Sequence, residues 1–216
     1  MTSRVTPQAH VLVACEVSGV VSRAFRAAGP PVMSCDLLPS DDSSLLHYQG
    51  DVRNILKMAG AFSLLIAHPP CQYLAVSGAR WFKHRQQEQA AALAIIQTLL
   101  DAPIPYIALE NPIGVISTRI RKPDQIIQPW QFGHPESKAT CLWLKGLPPL
   151  TPTDGLERPA AGHWHNQTPS GQNKLGPSPN RSKLRSITYT GIAQAMAAQW
   201  GAVLNRASDE TSAPNP

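Results

Sequence analysis

Leu64-Leu65-Ile66-Ala67-His68-Pro69-Pro70-Cys71-Gln72-Tyr73-Leu74-Ala75-Val76-Ser77-Gly78 reads as a buried strand delivering a stiff loop. The first four residues are continuously apolar, as in a strand covered on both faces. Pro69 and Pro70 end it, since each lacks a backbone donor and fixes φ. Cys71 follows at once, with small and polar residues behind it up to Gly78. Open α/β sheets bind and transform ligands at the carboxyl ends of their strands. Cys71 is therefore a candidate nucleophile. The alternative is a small buried hydrophobe, a common use of free cysteine, and position alone leaves the choice open.

Upstream, Val11-Leu12-Val13-Ala14-Cys15 reads as a buried strand, followed by Glu16-Val17-Ser18-Gly19 and a helix-compatible segment from Val20 to Ala28. Gly29, Pro30 and Pro31 end that helix. A second strand, Val32-Met33-Ser34-Cys35, ends at Asp36. Strand, turn, helix, strand and acid in this order form the first half of a doubly wound nucleotide-binding unit. Asp36 lies 17 residues after Gly19, near the spacing of about 20 at which an acid meets ribose hydroxyls. The turn holds one glycine, so it is no Gly-x-Gly-x-x-Gly grip, and it implies a nucleoside-type cofactor without pyrophosphate. Residues 37–49 read as a polar loop. Asp51, after Gly50, could contact an adenine amino group or cap a helical turn.

Downstream, Trp81 to Asp101 reads as an amphipathic helix with Leu93, Ile96 and Leu100 on one side. Ile104 to Leu109 reads as the next buried strand, delivering Glu110-Asn111-Pro112 to the edge that presents Cys71. Glu110 is a candidate acid there, a capping or surface role being the alternative. Ala139 to Leu144 reads as another strand. Residues 147–182, rich in Pro, Gly, Asn, Gln and Ser, fit no regular element of normal length. His163 and His165 flank Trp164 without a third metal ligand, so no metal site is expected. Thr190 to Leu204 reads as a helix with a core stripe of Ile192, Ala193, Met196, Trp200, Val203 and Leu204. Residues 1–9 are expected to form a flexible leader and 206–216 a disordered tail.

The 216 residues, 43% of them hydrophobic, suit one core with appendages. Cys15, Cys35, Cys71 and Cys141 are widely spaced, which argues against a zinc site or disulfide framework and for a reducing compartment. No signal core or membrane-length apolar run is present, so a cytoplasmic protein is expected. A net charge of +5 permits a polyanionic partner. Arg119, Arg121 and Lys122 form one basic cluster, and Lys174, Arg181, Lys183 and Arg185 another; solvated loops are the alternative use of both.

The ordered motifs resemble the cytosine-C5 DNA methyltransferase family, in the short version found in bacteriophages and prophages. Pro69-Pro70-Cys71-Gln72 with Ser77-Gly78 is similar to its Pro-Cys-Gln nucleophile loop, and Glu110-Asn111 to its Glu-Asn pair, with Pro112 where Val is most usual. Val13 to Gly19, Asp36 and Gly50-Asp51 resemble its S-adenosylmethionine pocket. Phe132-Gly133-His134-Pro135 through Lys138 resembles its Gln-x-Arg-x-Arg segment with one basic residue kept, and Gly191-Ile192-Ala193-Gln194-Ala195 the start of its last helix.

The resemblance implies a doubly wound Rossmann-like α/β sheet of the S-adenosylmethionine-dependent methyltransferase type. It divides the chain into a catalytic domain at 10–148, a small loop-rich target-recognition region at 149–182, and a returning segment and helix at 183–205. It implies Cys71 as nucleophile toward cytosine carbon 6, a protonated Glu110 donating to ring nitrogen 3, and Asn111 and Lys138 as further catalytic residues. Cofactor contacts would come from Ala14, Cys15, Glu16, Val17, Ser18, Gly19, Asp36, Leu37, Asp51, Val52, His68 and Pro70. DNA, with its target base flipped out, would be held by Gln72, Ser77, Arg119, Arg121, Lys122, Lys138 and Arg181, with Trp164 or Gln167 filling the gap. A bacterial host cytoplasm is the implied location. Glu16 stands at or near a family glycine position, and the recognition region is much reduced. RNA, a nucleotide or a modified base is an alternative acceptor, and a non-catalytic nucleic-acid or cofactor-binding module a different class of role.

Overall fold

The computed structural model describes residues 10–212. Seven strands form one mixed sheet: β1 (Val11–Ala14), β2 (Val32–Asp36), β3 (His47–Gln49), β4 (Leu64–Ala67), β5 (Tyr106–Pro112), β6 (Gln125–Ile127) and β7 (Thr140–Lys145). Their spatial order is β3-β2-β1-β4-β5-β7-β6. β1 to β5 run parallel, while β7 is antiparallel to both β5 and β6. The α-helices are α1 (Val20–Ala28), α2 (Val52–Ile55), α3 (Gln86–Leu100), α4 (Ile116–Arg119), α5 (Arg181–Ser186) and α6 (Thr190–Ser212).

The apolar runs are buried on both faces because alternate side chains enter different helical layers. Val11, Val13, Leu64 and Ile66 pack with Val21 and Phe25 of α1 and with Met196 and Trp200 of α6. Leu12, Ala14, Leu65 and Ala67 pack with Val52 and Ile55 of α2 and with Ile96 and Leu99 of α3. The sheet is thus doubly wound, as expected. β1 pairs with β2 on one side and with β4 on the other. The chain reverses its winding there, and the carboxyl ends of β1 and β4 bound the crevice that such a reversal opens.

Several elements differ from expectation. The helix placed from Trp81 starts at Gln86. Val76–His84 winds instead as a tighter 3-10 segment, and Arg85, with φ −134°, separates the two. Residues 47–49, read as loop, form edge strand β3, too short and polar to show alternation. Glu110 and Asn111 lie inside β5, not past its end, because β7 supplies partners as far as Pro112. β6 and α5 were not anticipated. The backbone of α6 is helical through Ser212, into the tail expected to be disordered; the leader at 1–9 and residues 213–216 lie outside the described residues. No helix among the described residues is long and apolar enough to cross a membrane.

Candidate active site

The loop that carries Cys71 is tied down at both ends. His68 N donates to Ala14 O at 2.9 Å, extending the β1–β4 ladder by one step. After the prolines, Leu74 N and Ala75 N both donate to Cys71 O at 2.9 Å, so Cys71 heads a closed turn. Asn111, 1% exposed, donates from Nδ2 to Pro69 O at 2.8 Å. The Glu-Asn pair of β5 therefore fixes the loop of β4 directly.

A second stitch joins the same two segments. Val76 N donates to Ile113 O at 3.0 Å and Val115 N to Leu74 O at 2.9 Å, with Gly114 bridged to Ala75 between them. A β-carbon on Gly114 would overlap the Leu74 carbonyl oxygen and lie 2.8 Å from its carbon. Gly114→Ala is expected to cost about 1–3 kcal/mol by overpacking and to loosen Cys71 relative to Glu110. Urea unfolding measures the first effect; an unchanged midpoint would show that the two segments part freely.

Glu110 and Cys71 occupy unequal electrostatic surroundings. Burial alone would raise the Glu110 carboxyl, but the hydrogen bond from His68 and the Lys138 ammonium outweigh it, holding the group below the ordinary glutamate range. His68 Nδ1 lies 3.4 Å from Glu110 Oε2. Without substrate the group therefore favours its carboxylate form. Burial, aided by that carboxylate, pushes the Cys71 thiol up, while Lys138 and Arg185 oppose the rise. Two buried polar atoms here have no protein partner, His68 Nε2 and Asn111 Oδ1. Such atoms cost about 1–3 kcal/mol each when left unpaired, and a polar ligand could satisfy both.

Beside the loop, Pro69, Pro70, Gln72, Tyr73, Glu88, Ala91, Ala92 and Ile95 line a cavity of about 310 Å³. A larger one, about 380 Å³, lies at the β3 edge among residues such as Met33, Tyr48 and Met58 and holds none of the expected site residues. The turn after β1 departs from a glycine-rich cradle. Cys15 adopts φ +58°, left-handed backbone that strains a residue with a β-carbon. Its thiol is pushed up to about 12 by burial first, then by Asp36, Cys35 and Asp51.

Glu16, expected among the cofactor contacts, is instead buried beneath α1. Its Oε1 accepts from Val21 N at 2.6 Å and its Oε2 from Ser22 N at 3.2 Å. Ser18 Oγ accepts from Val20 N at 3.4 Å, and Gly19 O from Arg23 N at 2.9 Å. Three of the free amides that a helix start normally exposes, those of Val20, Val21 and Ser22, are thus taken from within the chain. Asp36 ends β2 with Oδ1 accepting from Leu38 N at 2.9 Å, and Leu37 beside it is exposed. Asp51 takes the capping alternative. Its Oδ1 accepts from Arg53 N at 2.9 Å and its carboxylate pairs with the Arg53 guanidinium, which together hold the group down at about 2. Val52 points into the core.

The expected nucleic-acid contacts divide. Gln72, Ser77, Arg119 and Lys122 are exposed. Arg121 is engaged by Asp124 at 2.7 Å and by Leu144 O at 2.9 Å, and Arg181 by Leu175 O. Trp164 is buried and stacked on Trp130, with centroids 5.7 Å apart and planes 3° from parallel. Gln167 accepts from Trp164 N at 3.0 Å and donates to Gly171 O. Both side chains are thus engaged within the chain. No group of three metal-ligating side chains exists among the described residues.

Lys138 Nζ lies 5.7 Å from the centroid of the Tyr189 ring, and its charge acts on both Cys71 and Glu110. Thr140, Tyr189 and Arg185 were missed as site residues. Thr140 reaches Glu110 through β7, while Tyr189 and Arg185 arrive from a segment over 100 residues downstream of Cys71. Arg185 alone was visible beforehand, as part of a basic cluster.

No protein-family model matches the sequence, and neither does any curated protein. Solved structures do. A protein described as a DNA modification methyltransferase encoded within an E. coli prophage aligns at 16% identity and TM-score 0.42, over 63% of this chain and 46% of that one. S. pombe Dnmt2 methyltransferase aligns at 19% and 0.47, over 65% and 51%. The Entamoeba histolytica methyltransferase EhMeth aligns at 14% and 0.50, over 69% and 58%. The chain spans about half the length of these structures. The likeness to EhMeth shows a shared architecture at low identity: the mixed seven-stranded sheet with flanking helices is the Rossmann-like methyltransferase fold.

Proposed function

We propose that this chain is an S-adenosylmethionine-dependent DNA methyltransferase acting on cytosine carbon 5 through a covalent Cys71 adduct. The observation that carries the reading is the convergence of Cys71, Glu110, Asn111 and Lys138 at the carboxyl edge of the sheet, Asn111 holding the loop of Cys71 at 2.8 Å. Residues 10–148 form the catalytic domain, 149–182 the reduced target-recognition region, and 183–205 the returning helical segment. The reaction belongs in the cytoplasm of a bacterial host cell.

The cofactor's expected neighbourhood fits in part. Asp36 keeps Oδ2 without a protein donor among the described residues, available to ribose hydroxyls, and Pro70 borders an apolar cavity suited to a nucleoside. Ala14, Cys15, Val17, Ser18, Gly19, Leu37 and His68 flank the crevice; Glu16, Asp51 and Val52 serve α1, α2 and the core. When bound, S-adenosylmethionine supplies an electrophilic methyl group.

The protein's own groups then account for the protons. The Cys71 thiol gives up its proton to the Glu110 carboxylate, and the thiolate so formed adds to cytosine carbon 6, making the sulfur–carbon bond. Glu110, protonated by that transfer, donates the same proton to ring nitrogen 3 and returns to a carboxylate. Lys138 offsets the negative charge that Cys71 and Glu110 share. After methylation a base or water takes the carbon 5 proton, the electron pair of that bond expels Cys71 as a thiolate, and ring nitrogen 3 returns its proton through Glu110 to the sulfur. Arg119, Lys122, Gln72 and Ser77 are the exposed groups available to hold the opened strand.

The test is transfer of labelled methyl to mixed-sequence duplex DNA, with single-stranded DNA, RNA and deoxycytidine nucleotides in parallel, and trapping on a 5-fluorocytosine oligonucleotide. Methylated DNA and a stable adduct are expected. Preference for another acceptor redirects the substrate; binding with neither methyl transfer nor adduct assigns a non-catalytic role.

A further inference from the structure

Lys138 carries a long side chain with about 2 kcal/mol of rotamer entropy, so its placement depends on what fixes its backbone. Ser137 and Lys138 lie outside any helix or strand, yet all four of their backbone polar groups are paired with side chains. Ser137 N donates to Asn166 Oδ1 at 3.0 Å, and Asn166 Nδ2 donates back to Ser137 O at 2.9 Å. Lys138 N donates to Gln128 Oε1 at 3.0 Å, and Thr140 Oγ1 donates to Lys138 O at 3.1 Å. Asn166 thus does for Ser137 what a neighbouring strand would do, accepting and donating to one residue. The ammonium end lies over Tyr189, whose hydroxyl donates to Glu136.

Asn166 is itself anchored. His165 N donates to Pro135 O at 3.0 Å, Lys174 N donates to Asn166 O at 2.8 Å, and Trp164 lies stacked on Trp130. We infer that Asn166 is a positioning residue that holds Lys138 at the Cys71–Glu110 pocket, so that residues 164–166 brace the reaction site instead of reading bases. The inference rests on the proposed function for the reaction, though not for the geometry. Lys138 opposes the rise of the Cys71 thiol, which gives a readout independent of methyl transfer.

The experiment follows alkylation of Cys71 by iodoacetamide against pH, read at that residue by peptide mass spectrometry. Asn166→Leu, close in size and uncharged, is expected to move the midpoint to higher pH and to slow alkylation at pH 7.5 by about threefold or more. Lys138→Gln should do the same, and the double variant should add nothing to Lys138→Gln alone. A midpoint unmoved in Asn166→Leu, or effects of the two substitutions that add, overturns the inference. If Asn166→Leu fails to fold, Asn166→Ser carries the same comparison with the same outcomes. A wild-type protein that shows the coupling but methylates nothing would sink the proposed function and leave the brace standing.

Discussion

Cys71→Ser is expected to abolish the covalent adduct with a 5-fluorocytosine oligonucleotide and to lower methyl transfer by about a thousandfold or more. A serine hydroxyl fits the space but ionises far less readily than a thiol, and ionised sulfur is the attacking species. The loop should survive the change, because its ties run through Pro69 O, Leu74 N and Ala75 N, none of which uses the Cys71 side chain. Equal thermal stability of the two proteins would confirm that the loss is chemical. Persisting adduct would move the nucleophile elsewhere. Cys35 and Cys141 are poor substitutes, since both are buried and burial raises their thiols to about 12 and about 11 respectively.

Glu110→Gln should move two measurements in opposite directions. Methyl transfer is expected to fall about 10²- to 10⁴-fold, the usual range for losing an acid–base group. Iodoacetamide should meanwhile alkylate Cys71 faster at neutral pH, because the carboxylate that raises the thiol has gone. Loss of both activities would mean that the substitution had collapsed the pocket. Stability should respond as well. The folded-state value of Glu110 is depressed, so its contribution is present above the unfolded value and is lost as pH falls through the folded one. Glu110→Gln should lack that acid-side segment of the stability profile, as read by urea midpoints at stepped pH.

Sequence order revealed the strands with continuous apolar character, since Val11–Ala14 and Leu64–Ala67 have to be buried on both faces. It also set Cys71 and Glu110 beside β4 and β5, whereas Asn111 and Lys138 were expected as catalytic residues only from the family resemblance. The misses share a cause. His47–Gln49 is too short for a pattern, and the extension of β5 through Glu110 depends on pairing with Leu142 about 30 residues later. Whether a polar side chain is free is equally invisible in sequence. Arg121, Arg181, Trp164 and Gln167 have suitable chemistry for nucleic acid, but Asp124, Leu175, Trp130 and Gly171 already engage them.

The placement of Glu16 bears on which nucleotide cofactors the crevice can admit. A helix start ordinarily presents a partial positive charge and open N–H groups, a welcome for anions. At α1 a buried carboxylate occupies that position and engages Val21 N and Ser22 N. A dinucleotide or nucleoside triphosphate would find those two donors already engaged by the chain. A ligand that joins a nucleoside to a cationic centre has no need of them. The buried acid thus closes the first crossover with a cap drawn from the chain itself, where an anion-binding crossover leaves its amides open.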